Sequence, residues 1–363
     1  MNALPRPRRH AAGFSLVEIM VAILVSLFLL AGVLQLYLGN QQTSRLGTGI
    51  GEVQQAGQFA LDEITGNLRM AGFQGCADSR RIAGNVIARN APTTTLATSA
   101  VVGFAVASNG NWTGSRIPLN WSGSVPQPSL DVVQAQGGSR TVVDLASPMG
   151  SASANIALTA NPDNLVAGEM AIIADCAAAD LFRITSVTGG NTLTYSSATD
   201  NSPVQMTKPY TNTAGQNAAQ VMRFNSWVYF VRDTGRDAAD GSAIFALYRL
   251  DTSRQNQTAQ ELVEGIERLR VLYGERGGTG ANTMRYRSAE NVADWSQVAA
   301  VKVALLAASR EPVLDAADPA TYTLLDQTVA RAGTAGATIT YPDDRRLRRV
   351  FTATVNVRNR RDL

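Results

Sequence analysis

The chain has 363 residues, of which 45% are hydrophobic and 17% charged, a balance that supports a sizeable core and excludes a disordered polar chain. The formal net charge is +3, but Arg6, Arg8 and Arg9 lie in a leader without acids, so the remainder is neutral and lacks the cationic excess of a phosphate-tracking surface. The only histidine, His10, lies in the same leader.

Directly after the leader comes the stretch GFSLVEIM, which opens an apolar run over residues 14–38 broken by Ser15, Glu18, Ser26 and Gln35. At a rise of about 1.5 Å per residue this run spans a bilayer core of about 30 Å. The leader arginines predict a cytoplasmic start and export of everything after Asn40. No small-residue cleavage site follows the run, whereas Gly13 immediately precedes it, so cleavage there leaves the anchor attached. Glu18 needs a reason, since a carboxylate near the centre of a bilayer costs about 2.5 to 3.5 kcal/mol. A helix start eases that cost, and the free amino terminus of a neighbouring subunit would complete an ion pair. The plain alternative is an acid snorkelling at the interface of an ordinary anchor.

The string from Gly13 to Glu18 resembles the class III signal of type IV pilins and type II secretion pseudopilins. The resemblance implies that a prepilin peptidase cuts between Gly13 and Phe14, that Phe14 becomes the N-methylated first residue, and that Glu18 is the retained assembly carboxylate.

Beyond residue 38 the chain becomes polar, but Leu46, Ile50, Val53, Gly57, Ala60, Ile64 and Leu68 recur at steps of four and three, one stripe of an amphipathic helix. With no proline between residues 8 and 91, a nearly continuous helix to about Met70 is predicted. Gly47, Gly49 and Gly51 each cost roughly 1 kcal/mol against Ala and predict a local bend or melted segment. Their G-x-G-x-G look lacks the preceding strand of a dinucleotide loop. The stripe is read as packing on the chain's own globular part, with coiled-coil pairing as the alternative.

Residues 85–220 shift to Ala, Ser, Thr, Asn and Gly with strand-sized apolar runs, VVGFAV at 101–106, TVVDL at 141–145, AIIA at 171–174 and LFRITSV at 181–187, a β-rich elaboration with long loops. VMRFNSWVYFVRD at 221–233 and AIFALYRLD at 243–251 flank Gly235 and Gly241 as a hairpin. VAAVKVALLAAS at 298–309 and RVFTATVNVRN at 349–359 alternate, the latter with Phe351, Ala353, Val355 and Val357 on one face. An antiparallel sheet with one face on the long helix follows. In an oxidising compartment Cys76 and Cys176 form a disulfide by default, closing a loop of about 100 residues worth about 4 to 5 kcal/mol on chain-entropy grounds. Two unrelated buried thiols are the alternative.

ELVEGIERLRVLYG at 261–274, WSQVAAVKVALLAAS at 295–309 and DDRRLRRVFTATVNVRNR at 343–360 are similar to recurring segments of the PilW family of type IV pilus minor pilins, and FQGC at 73–76 and DCAAADLF at 175–182 fit its cysteine-bearing regions. The resemblance implies an α+β, type IV pilin-like fold in which a long N-terminal helix packs on an antiparallel β-sheet domain with a large β-rich insertion. The organisation expected is a leader at 1–13, a transmembrane assembly helix at 14–39, its amphipathic continuation at 40–72, a β-rich elaboration at 73–220 and a C-terminal sheet region at 221–363.

No catalytic residues, cofactor-binding residues or metal ligands are assigned. A mature chain without histidine hosts no Ser-His-Asp or Cys-His apparatus. Lys208 and Lys302 are the only lysines, so there is no P-loop. Asp343 and Asp344 are read as a turn, DTGRDAADG at 233–241 as a solvated loop rather than a calcium site, and the arginines at 345, 346, 348, 349, 358, 360 and 361 as solvent-facing positions that protect an edge or dock an acidic neighbour. The expected role is that of a minor pilin in a tip or priming complex, supporting twitching motility, adhesion and DNA uptake. Its expected partners are other minor pilins, the major pilin, the prepilin peptidase, a large tip adhesin and, before assembly, inner-membrane lipid; direct nucleic-acid binding is disfavoured. The expected location is the bacterial inner membrane, single-pass with a periplasmic domain, and then the fibre tip. A J-type pseudopilin of type II secretion, or a tip adhesin or DNA-binding module using residues 85–220, are the competing readings.

Overall fold

The structure, a computed structural model, describes residues 15–77, 82–96, 100–105, 131–213, 218–238, 240–254, 258–277 and 283–360. One helix, α1 (Leu16–Met70), precedes all strands. The chain divides into two compact units, Met1–Gly49 and Ile50–Leu363, and α1 contributes to each. Gly47, Gly49 and Gly51 are helical, so the melted segment that the sequence offered there is corrected. A glycine removes a side chain but keeps its backbone N–H and C=O, and the ladder persists through all three.

The strands of the second unit run in chain order as β1 (Asn85–Val86), β2 (Val101–Ala105), β3 (Asp131–Gly138), β4 (Val143–Asp144), β5 (Ile156–Ala157), β6 (Met170–Ala174), β7 (Ala179–Arg183), β8 (Ser186–Thr188) and β9 (Thr192–Thr194). They continue as β10 (Gln220–Asp237), β11 (Ala243–Asp251), β12 (Gln260–Glu264), β13 (Ile266–Arg276), β14 (Met284–Arg287), β15 (Val298–Ala308), β16 (Tyr322–Leu324), β17 (Gln327–Arg331), β18 (Thr340–Tyr341) and β19 (Arg348–Asn356). Among the described residues a nine-stranded sheet has the order β1-β7-β6-β10-β11-β12, with β3 and β4 also on β10 and β2 on β3. A four-stranded sheet runs β14-β13-β15-β19; of two three-stranded sheets, β16-β17-β18 packs on β15 and β5-β9-β8 lies within the insertion. Pairing is antiparallel except β1 on β7 and β18 on β17. The architecture is therefore α+β, with a β-rich insertion before a C-terminal antiparallel sheet.

The predicted hairpin is present as β10 and β11, Trp227 opposite Asp251 and Asp233 opposite Phe245. LFRITSV is split between β7 and β8, while ELVEGIERLRVLYG forms two strands of different sheets, β12 and β13. Gly265 lies at that junction with φ +84, a region that L side chains rarely adopt, and an added Cβ would lie 2.7 Å from the Ala308 carbonyl oxygen. The chain thus leaves the nine-stranded sheet and enters the four-stranded one at a single glycine.

The stripe of α1 holds from residue 53 onward. Val53, Ala56, Ala60, Ile64 and Leu68 are buried in one core with residues of β2, β3, β10, β11, β13, β15 and β19. Ile50, which the periodicity assigns to the stripe, is exposed instead. Gly57 admits the Phe351 ring so closely that a Cβ would lie 2.3 Å from it. A polar lock flanks the stripe: Asn67 Nδ2 donates to Tyr229 Oη at 2.7 Å, Tyr229 Oη donates to Glu63 Oε1 at 3.1 Å, and Arg249 Nη1 donates to the same oxygen at 2.7 Å. The helix ends where Gly72 takes φ +77 and where Asn359 Nδ2 donates to the Ala71 carbonyl at 3.1 Å, satisfying a terminal acceptor.

Candidate assembly site

In the first unit the helix starts with a reciprocal cap. Glu18 N donates to Ser15 Oγ at 3.1 Å, and Ser15 N donates to Glu18 Oε2 at 3.4 Å. This is the S-x-x-E capping box, which satisfies two helix-start donors at once. The spacing is legible in the sequence, and Ser15 is the residue that sequence reasoning missed. Glu18 thus has a partner within its own chain, in a location where the helix dipole favours negative charge. Gly13 and Phe14 lie outside the described residues.

From Leu16 the apolar surface is exposed on every side: Leu16 is 75% exposed, Phe28 71% and Leu36 71%. Residues 16–38 extend for about 34 Å at 1.5 Å per residue, and α1 is the one helix among the described residues long and apolar enough to cross a membrane. A surface that is apolar all round requires lipid or other protein around it.

Cys76 and Cys176 are bonded, with Cα atoms 4.9 Å apart, as the sequence predicts. Local turn chemistry presents Cys176: Asp175 Oδ1 accepts from Ala177 N and Ala178 N, both at 2.8 Å, and Lys208 pairs with the same carboxylate. The disulfide joins the turn after α1 to the β6–β7 turn.

The C-terminal arginines divide into two groups. Arg345, Arg349 and Arg358 are exposed, whereas Arg346 and Arg348 are buried, which corrects the uniform solvent-facing reading; Arg361 lies outside the described residues. Arg348 Nε and Nη2 donate to Glu267 at 2.8 and 2.9 Å, and its Nη1 and Nη2 donate to Asp344 at 2.7 and 2.8 Å. Two bidentate carboxylates thus surround one guanidinium. Asp344, read as a turn residue, is a member of this buried network. Arg346 instead ties the β10–β11 hairpin through Ser242 Oγ at 2.6 Å. The segment 233–241, read as a loop, is strand β10 as far as Asp237; in it Asp233 Oδ1 accepts from Gly235 N at 2.8 Å, and beyond it Asp240 Oδ1 accepts from Ser242 Oγ at 2.6 Å. The Ser242 hydroxyl holds the Asp240 carboxyl below its ordinary pKa. Among the described residues no group of three or more His, Cys, Asp or Glu side chains is placed to hold a metal ion.

Residues 228–359 match the family model of the type IV pilus-assembly protein W, PilW, and residues 8–34 match the prokaryotic N-terminal methylation motif. No curated protein matches the chain. The two matches mark a pilin- or pseudopilin-type protein with a PilW-like C-terminal region, whose apolar helix and methylation motif are consistent with a membrane-anchored precursor.

Proposed function

We propose that this protein is a minor pilin that joins other pilins in a tip or priming complex for type IV pilus assembly. The observation that carries this reading is a helix start with apolar surface on every side and one carboxylate, Glu18, in its first turn, in a chain that also matches a pilus-assembly family. A prepilin peptidase cuts between Gly13 and Phe14, Phe14 is N-methylated, and the helix at 14–39 packs laterally against neighbouring pilins. Residues 40–72 extend it, and the regions 73–220 and 221–363 select partners in the periplasm and later near the fibre tip. A J-type pseudopilin shares the methylation motif, and the PilW match favours the pilus.

Assembly gives Glu18 a second use. Its carboxylate is held by Ser15 in the single chain, and a neighbour's free amino terminus offers a full opposite charge in its place, worth more in a low dielectric than a neutral N–H. The test is Glu18→Ala in cells that make the fibre, with the mature amino terminus read by mass spectrometry. Leader removal is expected to continue, while the amount recovered in sheared fibres falls at least tenfold. Wild-type incorporation of the alanine variant would defeat the reading, as would recovery of protein that keeps residues 1–13 despite an active peptidase.

A further inference from the structure

Among the described residues β19 pairs on one side only, with β15, from Asn356 opposite Ala300 to Arg348 opposite Ala308 and without a register shift. It is the longest strand that pairs with a single neighbour among the described residues. The residues just beyond it fix which backbone groups face outward. Val357 N donates to Ala299 O at 2.9 Å, and Ser309 N donates to Leu347 O at 2.8 Å. Bonded pairs alternate along an antiparallel ladder, so odd-numbered residues of β19 bond β15. Val350, Thr352, Thr354 and Asn356 present their N–H and C=O groups to the open side, and the last three are exposed.

Natural sheets usually protect an open edge by shortness, a bulge, a proline or a charge within the strand. β12 is protected in this way: it has five residues, its pairing shifts register between Leu247 and Tyr248, and its Glu261 and Glu264 pair with Arg236. β19 has no such device between Val350 and Asn356, a stretch of Val, Phe, Thr, Ala, Thr, Val and Asn. Charge is confined to the two ends. Arg345 and Arg349 at one end and Arg358 at the other are exposed, and among the described residues none of them pairs with a carboxylate. Phe351 and Val355 belong to or pack on the main core, so the edge is held rigid before any partner arrives.

We propose that the open edge of β19 is a β-augmentation site for an extended strand of another protein, one with uncharged β-forming residues in the middle and acidic residues at both ends. Main-chain bonds to Val350, Thr352, Thr354 and Asn356 supply affinity. Arg349 within β19 and Arg358, which opens the short 3-10 helix just beyond its end, select acid at the two ends. This surface is independent of Glu18 and of the first unit.

The test uses the full chain in detergent and a labelled ten-residue peptide of alternating threonine and valine with aspartate at both ends, beside the same peptide with lysine at both ends. Fluorescence polarisation is expected to give at least tenfold tighter binding of the aspartate peptide, and hydrogen exchange to slow at Thr352, Thr354 and Asn356. Thr354→Pro removes an outward N–H and is expected to weaken binding at least tenfold. If that variant unfolds, the surface pair Arg349→Glu and Arg358→Glu decides, since it is expected to reverse the preference. Equal binding of the two peptides, unchanged preference in the arginine pair, or unslowed exchange at the three amides would each overturn the proposal.

Discussion

Residues 16–38 and residues 53–68 belong to the same helix but are stabilised in different ways. The later stretch has one apolar stripe, buried in its own unit to the point that Ala60, Ile64 and Leu68 are 0% exposed, with polar residues such as Glu63 and Asn67 locking its flank. The earlier stretch has apolar side chains all round and a cap at its start, and among the described residues of its own unit nothing covers them. A stripe is completed by intramolecular packing, while an all-round apolar surface is completed only by lipid or by other chains. The chain therefore encodes its fold in one stretch and a surface for lipid or other chains in the other.

The largest expected effect that separates the two comes from reducing Cys76–Cys176. The bond closes a loop with a sequence separation of 100, and constraint of the unfolded chain by such a loop is worth about 4 to 5 kcal/mol. Reduction should lower the unfolding midpoint of the full chain in detergent, followed by near-UV circular dichroism, and leave the helix at 16–38 in its micelle. An unchanged midpoint with both thiols alkylated would show that the staple carries no stability.

A pair of substitutions sharpens the contrast further. Ile64→Ala removes a fully enclosed side chain from the main core and is expected to cost about 3 to 4 kcal/mol by chemical denaturation. Leu30→Ala, on a 55% exposed side chain, is expected to change the same unfolding by less than about 0.5 kcal/mol. Equal effects would mean that the two stretches are not distinct in the way their burial indicates.

Much of this division was legible in the sequence, because hydropathy and spacing report on faces of single elements. The apolar run, the stripe from Val53, the alternation of β19 and the cysteine pair are all local or composition-driven signals. What escaped depends on pieces distant in sequence. Arg348 alternates outward on paper with Val350 and Thr352, yet the segment between β15 and β19 folds over it and supplies Asp344, while Glu267 arrives from β13. Gly265 reads as an interruption in one strand, and only the Ala308 carbonyl beside it shows that two sheets meet there. The capping box was legible in its spacing but is masked by a stronger membrane signal. Ile50 was misassigned because periodicity continues past the point where the sheets cover the helix.

The smallest effect concerns pH and acts on the globular unit alone. Asp131 opens β3 and reaches across to β13: Val271 N donates to its Oδ2 at 2.6 Å and Arg270 Nη1 at 3.1 Å. Arg270 is shared with Asp326, to which its Nε donates at 2.8 Å, so its relief of Asp131 is partial. Burial raises the Asp131 carboxyl from 3.8 to about 6, against the lowering by Arg270. The folded state therefore holds this proton more tightly than the unfolded chain. The stability it contributes is fully present below pH 3.8 and is lost as pH rises through about 6, an effect of up to about 3 kcal/mol. Asp131→Asn should flatten this part of the stability profile between pH 4 and 7, measured by urea unfolding of the full chain in detergent, because an amide does not titrate. The same change should leave Glu18-dependent incorporation into fibres intact, since Asp131 and Glu18 belong to different units. A profile that keeps its slope in the asparagine variant would assign the pH response to another carboxylate.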